Sequence, residues 1–293
     1  MIPYHPTSIQ EIKKELFSKN EVRVLVKRED QNHPFVSGNK WWKLKYNLEE
    51  AVRLKHNMLL TFGGAYSNHI YATAAAGREL GLKTIGVIRG EETLPLNHTL
   101  SFAKNCGMHL HYVSREAYRK KSEAHFIKSL KQQFGEFYLI PEGGTNSLAV
   151  KGCAELAKQL TNEIDFDYLC LPIGTGGTMA GIIETLDLSK KIIGFSVLKG
   201  GEFLVKEINQ LLSRPKDNWT VQLDYHFGGY AKTSVELKKF IEEMKTQHQL
   251  PLDEIYTAKM LWGVFDLITK NSFKRRSTIL VLHTGGLQQS VVN

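Results

Sequence analysis

Short apolar and β-branched runs alternate along this chain with longer stretches whose apolar residues recur at helical spacing. The short runs predict strands at positions 22–27, 58–62, 84–89, 109–113, 137–140, 168–172, 192–198, 221–227 and 278–282. The longer stretches predict helices at 41–56, 68–80, 96–106, 115–133, 148–160, 177–187, 201–212, 234–247 and 258–270. This alternation predicts an α/β fold with mainly parallel sheets, and nine strands favour two sheets.

The composition fits a globular protein, because 42% of the 293 residues are apolar and 23% are charged. The net charge of +8 is spread along the chain, which gives little support for nucleic-acid binding. Cys106, Cys153 and Cys170 are widely spaced and odd in number, so we expect free thiols and no metal site. The sequence has no secretory signal and no stretch of membrane-spanning length, which predicts a cytoplasmic protein without membrane contact.

Lys40 follows a predicted turn at Ser37, Gly38 and Asn39, and it opens the next helix. Lys43 lies one helical turn further along the same face. A lysine in a tight pocket can lose its proton and attack carbonyl groups, and a neighbouring cation favours that loss. Most lysines at helix starts are solvated surface groups, so a catalytic Lys40 requires partners elsewhere in the chain.

The loop after the second predicted strand contains Gly63-Gly64 and then Ser67-Asn68-His69. Ser67 or Asn68 would cap the helix that begins there, and this role alone could account for both. The free N–H groups of a helix start also form a carboxylate site, and Asn68 could donate a hydrogen bond to a phenolic oxygen. His69 is a candidate ligand or base, although a single histidine in such a loop is usually structural.

A second glycine-rich loop follows the strand predicted at 168–172 and precedes a helix. Its glycines would let backbone N–H groups approach a phosphate, and an ordinary tight turn is the alternative. It lacks the Walker and dinucleotide-binding patterns, which favours the phosphate of a small cofactor. Tyr230 and Tyr256 follow later strands, where each could cover the core or exchange protons in a pocket.

Seven segments between positions 27 and 286 together resemble one enzyme family, and they occur in that family's order: KRED, SGNKWWKL, SNH, PEGGTN, IGTGGTMAGI, IYTAKM and LHTGG. They resemble the pyridoxal phosphate (PLP) enzymes of the tryptophan-synthase-β fold, in the group of 1-aminocyclopropane-1-carboxylate (ACC) deaminases and D-cysteine desulfhydrases. The resemblance implies a two-domain, three-layer α/β/α fold and a homodimer. The large PLP-binding domain would comprise residues 1–41 and 141–293, and a small mobile domain residues 42–140.

The resemblance also implies roles for individual residues. Lys40 looks like the lysine that binds PLP covalently, Asn68 like the residue that faces the 3′ oxygen, and Thr257 like the contact of the pyridine nitrogen. Ser67 corresponds to a residue that meets the substrate carboxylate, and Tyr230 and Tyr256 to the two active-site tyrosines. The phosphate would be held by Lys43, Gly174, Thr175, Gly176, Gly177 and Thr178.

Two positions separate the activities within this group. ACC deaminases carry a glutamate where this chain has Thr257, and a leucine where it has Thr284. A carboxylate keeps the pyridine nitrogen protonated and makes the ring a stronger electron sink, which a threonine hydroxyl does not. Expulsion of a thiolate requires a weaker electron sink than opening of a cyclopropane ring does, so these threonines favour β-elimination.

We therefore expect a PLP-dependent lyase that acts on a small amino acid and converts D-cysteine to pyruvate, ammonia and sulfide. The alternative within the family is an ACC deaminase that gives 2-oxobutyrate and ammonia. An alternative of another class is a basic, non-catalytic α/β protein that binds anions or nucleic acid. The chain departs from the family pattern near the expected pocket, at Trp41-Trp42, at Tyr66 and in the segment 231–234.

Overall fold

Two β-sheets with helices on their faces form the protein, whose computed structural model describes residues 1–289. The strands are β1 (Ile9–Ile12), β2 (Arg23–Lys27), β3 (Met58–Gly63), β4 (Lys83–Arg89), β5 (His109–Val113), β6 (Tyr138–Ile140), β7 (Tyr168–Ile173), β8 (Lys191–Ser196), β9 (Trp219–Gln222) and β10 (Thr278–Leu282). The helices are α1 (Glu15–Lys19), α2 (Asn39–Arg53), α3 (Asn68–Leu80), α4 (His98–Asn105), α5 (Arg115–Arg119), α6 (Ala124–Phe134), α7 (Ser147–Glu163), α8 (Gly177–Thr185), α9 (Phe203–Leu211), α10 (Val235–His248) and α11 (Thr257–Thr269).

The larger sheet has six strands in the order β1-β2-β10-β7-β8-β9, and the smaller has four in the order β5-β4-β3-β6. Every pairing is parallel except that of the edge strand β1 with β2. The prediction of two mainly parallel sheets is therefore confirmed. Strand β10 lies in the interior of the larger sheet, between β2 and β7, although it follows all the other strands in the chain.

Helices cover both faces of the larger sheet, which explains why its inner strands are apolar throughout. Leu169 and Leu171 of β7 point into a core shared with α2, α7, α8 and α9, whereas Cys170 points into a core shared with α1, α10 and α11. Side chains alternate between the two faces of a strand, so a strand covered on both faces must be apolar at every position. The smaller sheet also separates two clusters, one with α5 and α6 and one with α3 and α4. This arrangement confirms the three-layer α/β/α prediction.

The predicted elements differ from the observed ones in three places. Strand β1 and helix α1 were not predicted, because each is short and pairs or packs at the edge of the sheet. The single helix predicted at 115–133 is wrong, because two helices, α5 and α6, occupy this region with a break between them. Lys121 lies in the break and pairs with Glu142 at 3.2 Å. The strand predicted at 221–227 is wrong beyond Gln222, because Phe227 and the two following glycines adopt positive φ angles in a turn.

Helix α2 crosses α7 at close range, and this contact fixes the start of α2 against the larger sheet. A Cβ atom on Gly152 of α7 would lie 2.0 Å from the carbonyl oxygen of Trp42, so only glycine fits there. The predicted domain boundary between residues 41 and 42 falls inside α2 and stays a prediction. In the part of the chain that the structure describes, no helix is long and apolar enough to cross a membrane.

Candidate active site

A cavity of about 410 Å³ lies where loops from both sheets meet. The loops that follow β3, β7 and β10 all contribute to its lining, together with the first turn of α2. These loops lie at the carboxyl ends of parallel strands, where open α/β sheets bind ligands. The cavity brings together most of the residues singled out from the sequence: Lys40, Lys43, Ser67, Asn68, Gly174, Thr175, Gly176, Gly177, Thr178, Tyr230 and Tyr256.

Lys40 enters this cavity from a turn that is held by hydrogen bonds on both sides. The backbone N–H of Gly38 donates to Asn32 Oδ1 at 2.9 Å, and that of Asn39 donates to the carbonyl oxygen of Thr284 at 3.2 Å. Gly38 has φ +68° and ψ −142°, a conformation open essentially to glycine alone. Lys40 Nζ donates to Asn39 Oδ1 at 2.8 Å, and burial lowers the pKa of Lys40 to about 8.

The charged segment before this turn, KRED in the sequence, is buried beneath it. Glu29 accepts hydrogen bonds from Asn32 Nδ2 at 2.9 Å and from Trp42 Nε1 at 2.6 Å. Asn32 Nδ2 also donates to the carbonyl oxygen of Gly38 at 3.0 Å. The segment therefore acts as the support of the Lys40 turn, and Trp42, which departs from the family pattern, contributes to that support.

Lys43 is buried beside two threonine hydroxyl groups. Its Nζ donates to Thr145 Oγ1 at 2.8 Å and to Thr175 Oγ1 at 3.3 Å. Burial lowers the pKa of Lys43 to about 7, and the positive charge of Lys40 acts in the same direction. An anion bound beside Lys43 would therefore raise the pKa of Lys43 again and keep its side chain positively charged.

The loop from Gly174 to Thr178 completes an anion site around Lys43. A Cβ atom on Gly177, the first residue of α8, would lie 3.2 Å from Lys43 Nζ. The missing side chain leaves the backbone N–H groups at the start of α8 accessible, and the helix dipole favours an anion there. Asn39 Nδ2 fixes Thr178 Oγ1 at 2.9 Å. A lysine, two threonine hydroxyls and these N–H groups fit a phosphate, and Lys40 in the same cavity carries an amine of the kind that binds an aldehyde cofactor.

Ser67 and Asn68 lie at the start of α3 and line the same cavity as Lys40. Ser67 caps the helix, because its Oγ accepts a hydrogen bond from the N–H of Ile70 at 3.3 Å. Asn68 Oδ1 accepts a hydrogen bond from Gln288 Nε2, which orients the Asn68 amide. The other N–H groups in the first turn of this thirteen-residue helix have no acceptor within the helix, so they can donate to a carboxylate.

Tyr230 and Tyr256 lie next to each other in the lining of the cavity, in an edge-to-face arrangement with ring centroids 6.1 Å apart. Tyr230 Oη donates to the carbonyl oxygen of Tyr66 at 3.3 Å, a contact between loops of the two sheets. Burial raises the pKa of Tyr230 to about 12 and raises that of Tyr256 well above its usual value. Both phenols therefore keep their protons near neutral pH.

Thr257 is the one predicted cofactor residue that does not line the cavity. It is fully buried, and its Oγ1 accepts a hydrogen bond from the N–H of Asp253 at 2.9 Å. Asp253 in turn accepts hydrogen bonds from the N–H groups of Tyr256 and Thr257 at 2.7 and 3.0 Å, which caps α11. The predicted contact between Thr257 and the pyridine nitrogen stays a prediction. Thr284, by contrast, does line the cavity.

His69 lies at the wall of the cavity as a neutral, buried side chain. Thr61 Oγ1 donates to the carbonyl oxygen of Ile140 at 2.8 Å, so the contact of 2.7 Å with His69 Nε2 places the ring proton on that nitrogen. Burial lowers the pKa of His69 well below its usual value, and the charges of Lys40 and Lys43 add to the effect. These contacts favour a structural role over that of a base.

Sequence reasoning missed several residues that contribute to the site. Lys259 is buried, and its Nζ donates to the carbonyl oxygens of His226 and Gly229 at 2.9 and 2.8 Å, which holds the turn before Tyr230. Thr145, Arg89 and Glu142 were also not identified as site residues. Thr145 lies in the PEGGTN segment and Lys259 in IYTAKM, so the conspicuous motifs did contain a signal for those two.

We expect the free energy of unfolding of the cofactor-free protein to rise between pH 7 and pH 8.5. The pKa values of Lys43, about 7, and of Lys40 and Lys259, about 8, lie below the value of roughly 10.4 for an unfolded lysine. The unfolded chain therefore binds more protons in this window, and each lysine contributes up to roughly 1 kcal/mol per pH unit. Urea unfolding at a series of pH values measures this slope.

The Lys43→Met variant should have a smaller slope over the same window. Lys45→Met is the matched control in the same helix, because its hydrogen bond and ion pair with Glu155 outweigh burial and raise the pKa of Lys45. Above about pH 8.5 the Cys153 thiol, whose pKa burial raises to about 11, contributes with the opposite sign. Equal slopes for the wild type and Lys43→Met would contradict this assignment.

Comparisons with known proteins show that this chain is similar to one family of enzymes. The family model described as "Pyridoxal-phosphate dependent enzyme" matches residues 3–285. A putative 1-aminocyclopropane-1-carboxylate deaminase of Thermotoga maritima is 32% identical over 299 residues, which cover 96% of this chain and 94% of that protein. The mitochondrial bifunctional D-cysteine desulfhydrase/1-aminocyclopropane-1-carboxylate deaminase of Arabidopsis thaliana is 29% identical over 92% of this chain and 73% of its own length. A crystal structure of an ACC deaminase homologue superposes with a TM-score of 0.82 at 27% identity, covering 98% of this chain and 93% of that one.

Proposed function

Because the chain belongs to the pyridoxal-phosphate dependent enzymes, in the group of ACC deaminases and D-cysteine desulfhydrases, we propose that it cleaves D-cysteine by α,β-elimination. The overall reaction converts D-cysteine and water to pyruvate, ammonia and hydrogen sulfide. Family membership identifies the chain as an enzyme, against the alternative of a non-catalytic anion- or nucleic-acid-binding protein. The observation that carries the proposal is Lys40, whose pKa is lowered, in one cavity with the anion site around Lys43.

Bound PLP supplies an electron sink conjugated with the α-carbon of the substrate. Lys40 would hold the cofactor through its Nζ. Lys43, the hydroxyls of Thr145 and Thr175 and the N–H groups at the start of α8 would hold its phosphate. Asn68 is proposed to face the 3′ oxygen, because its amide lies in the cavity and is oriented by Gln288.

The residues around the substrate divide into those that bind it and those that move protons. Ser67 and the N–H groups at the start of α3 would hold the substrate carboxylate. Lys40 Nζ is the group that takes the α-proton, since a pKa of about 8 leaves part of it unprotonated near neutral pH. Tyr256, the other candidate base, keeps its proton because burial raises its pKa, so it acts with Tyr230 as a donor.

We propose D-cysteine rather than ACC because of two residues, Thr257 next to Tyr256 and Thr284 in the loop after β10. Position 257 holds a threonine bonded to Asp253, so it supplies no carboxylate to strengthen the electron sink. Departure of a thiolate tolerates this weaker sink better than opening of a cyclopropane ring. ACC deaminase activity is the second candidate. The name of the relative from Thermotoga maritima favours it, whereas the name of the relative from Arabidopsis thaliana includes both activities.

We also propose that residues 42–140 move as a small domain that closes over the substrate. Support comes from the four strands of the smaller sheet, which all lie between residues 58 and 140, and from the contact of Tyr230 with Tyr66. Closure would keep the reactive intermediate from water. A homodimer in the cytoplasm is proposed from the resemblance to the family.

The decisive experiment is an assay of the PLP-loaded protein with D-cysteine, L-cysteine and ACC. We expect pyruvate and sulfide from D-cysteine and little 2-oxobutyrate from ACC. Keto acids are identified by chromatography of their hydrazones, which separates pyruvate from 2-oxobutyrate, and sulfide is measured independently. Efficient formation of 2-oxobutyrate from ACC, without sulfide from either cysteine, would instead establish the second candidate.

A further inference from the structure

We propose that Arg89 binds a negatively charged group on the β-carbon side of the substrate, so that amino acids with an anionic β-substituent bind more tightly than neutral ones of the same size. This inference rests on the proposed elimination reaction and names the class of amino acid that it favours. Arg89 is the last residue of β4, and it lines the cavity without belonging to any of the sequence motifs.

Arg89 lies close to the place where the amino acid would bind. Its Nη2 atom is 3.5 Å from where a Cβ atom on Gly64 would lie, and Gly64 belongs to the same loop as Ser67. The guanidinium stands over the ring of Tyr118, with its Cζ 5.8 Å from the ring centroid. Burial raises the pKa of Tyr230 to about 12, and the positive charge of Arg89 opposes this rise.

The positive charge of Arg89 has no partner among the described residues, whereas its neighbours are satisfied. Glu142, the nearby carboxylate of the PEGGTN segment, accepts a hydrogen bond from Tyr118 Oη at 2.8 Å and pairs with Lys121 Nζ at 3.2 Å. Both of its oxygens are therefore in use. Glu207 lines the cavity from α9, and its raised pKa, caused by burial, weakens its competition for Arg89. Arg89 is thus available to an anion from solution.

The other anionic groups of a bound amino acid and cofactor already have sites elsewhere in the cavity. Lys43 and the start of α8 receive a phosphate, and Ser67 with the start of α3 receives the α-carboxylate. Arg89 ends β4, next to β3, and its Nη2 lies beside Gly64 of the Ser67 loop, so the side group is the part of the amino acid left for it to bind. An arginine here would bind an anionic side group and stabilise a β-substituent that leaves as an anion.

Binding of aspartate and asparagine to the PLP-loaded enzyme tests this assignment without turnover, because the two differ in charge and hardly in shape. Dissociation constants follow from the change in visible absorption of the bound cofactor, for each enantiomer. We expect the wild type to bind aspartate roughly 10- to 100-fold more tightly than asparagine, in line with a charge-assisted pair. In Arg89→Gln this ratio should fall to about one by loss of aspartate affinity alone.

Arg78→Gln is the matched control, because Arg78 is also an exposed arginine stacked on aromatic rings, Phe35 and Phe102, but lies outside the cavity. It should retain the wild-type ratio.

Turnover gives a second readout, in which Arg89→Gln should raise the KM for O-phosphoserine and leave that for O-acetylserine unchanged. Equal weakening of aspartate and asparagine in Arg89→Gln would assign Arg89 to the α-carboxylate and overturn the proposal, as would a wild type without charge preference. Charge-selective binding without keto acid from any substrate would refute the lyase function and leave the Arg89 assignment standing.

Discussion

Replacing Lys40 by alanine is expected to lower kcat for keto-acid formation by at least about 1,000-fold, because the residue both holds the cofactor and removes the α-proton in the proposed function. Borohydride treatment of the PLP-loaded wild type should attach the cofactor permanently to Lys40. Mass spectrometry of the proteolytic fragments identifies the labelled lysine, and the Lys40→Ala variant should carry no label. The effect is the largest we expect, since no other group in the cavity combines both roles.

Lys43 is the rival for the covalent role, since its pKa of about 7 is even lower than that of Lys40. Its Nζ, however, is occupied by the hydroxyls of Thr145 and Thr175, and its side chain is only 2% exposed. Lys45→Ala is the control, because Lys45 lies on the same helix and pairs with Glu155 outside the cavity. Label on Lys43, or a fully active Lys40→Ala variant, would refute the assignment.

The Gly38→Ala substitution is expected to destabilise the protein by about 3 kcal/mol or more and to abolish cofactor binding. The added Cβ atom would lie 1.9 Å from the carbonyl oxygen of Thr284, a backbone atom that cannot rotate away. The backbone angles at Gly38 exclude side chains on their own account. Urea unfolding gives the loss of stability, and retention of visible absorption after gel filtration reports on the cofactor.

Gly81 provides a close control for this substitution, because it has the same φ angle of +68° but open space where a Cβ would lie. Gly81→Ala should cost only about 1 kcal/mol, the strain of a left-handed backbone, and keep the cofactor. The difference between the two variants measures the collision with Thr284 together with the extra strain of ψ −142° at Gly38, compared with ψ 23° at Gly81. If both variants lose the same stability and both retain PLP, the packing of the Lys40 turn against the last loop is not what fixes the site.

Most of the fold was predictable because its determinants are local. The strands from 109 to 113 and from 278 to 282 and the helix from 68 to 80 were predicted with the observed bounds, since apolar periodicity and the Ser67 cap mark them clearly. The edge strand β1 was not, because its burial depends on pairing with β2 rather than on its own pattern. The order of strands within each sheet likewise follows from long-range contacts that periodicity does not encode.

The candidate site was predictable where a motif carried the information and obscure where a distant contact did. Glycine-rich loops and the Lys40 turn were recognised from a few adjacent residues. The hydrogen bond from Lys43 to Thr145, by contrast, joins positions 102 residues apart, and the bonds from Lys259 Nζ to its two carbonyl acceptors span about 30. Arg89 ends an ordinary strand, so only the folded chain distinguishes it from other exposed arginines.

The interior position of β10 has a consequence for biosynthesis. The Lys40 turn rests on Thr284, and β10 separates β2 from β7, so the two parts of the larger sheet are joined by a strand that is translated after the nine other described strands. Nascent chains that have not yet reached this strand must hold β2 and β7 apart with apolar faces uncovered. We expect cofactor loading to follow translation of the β10 segment, because the Lys40 turn is incomplete until Thr284 is present.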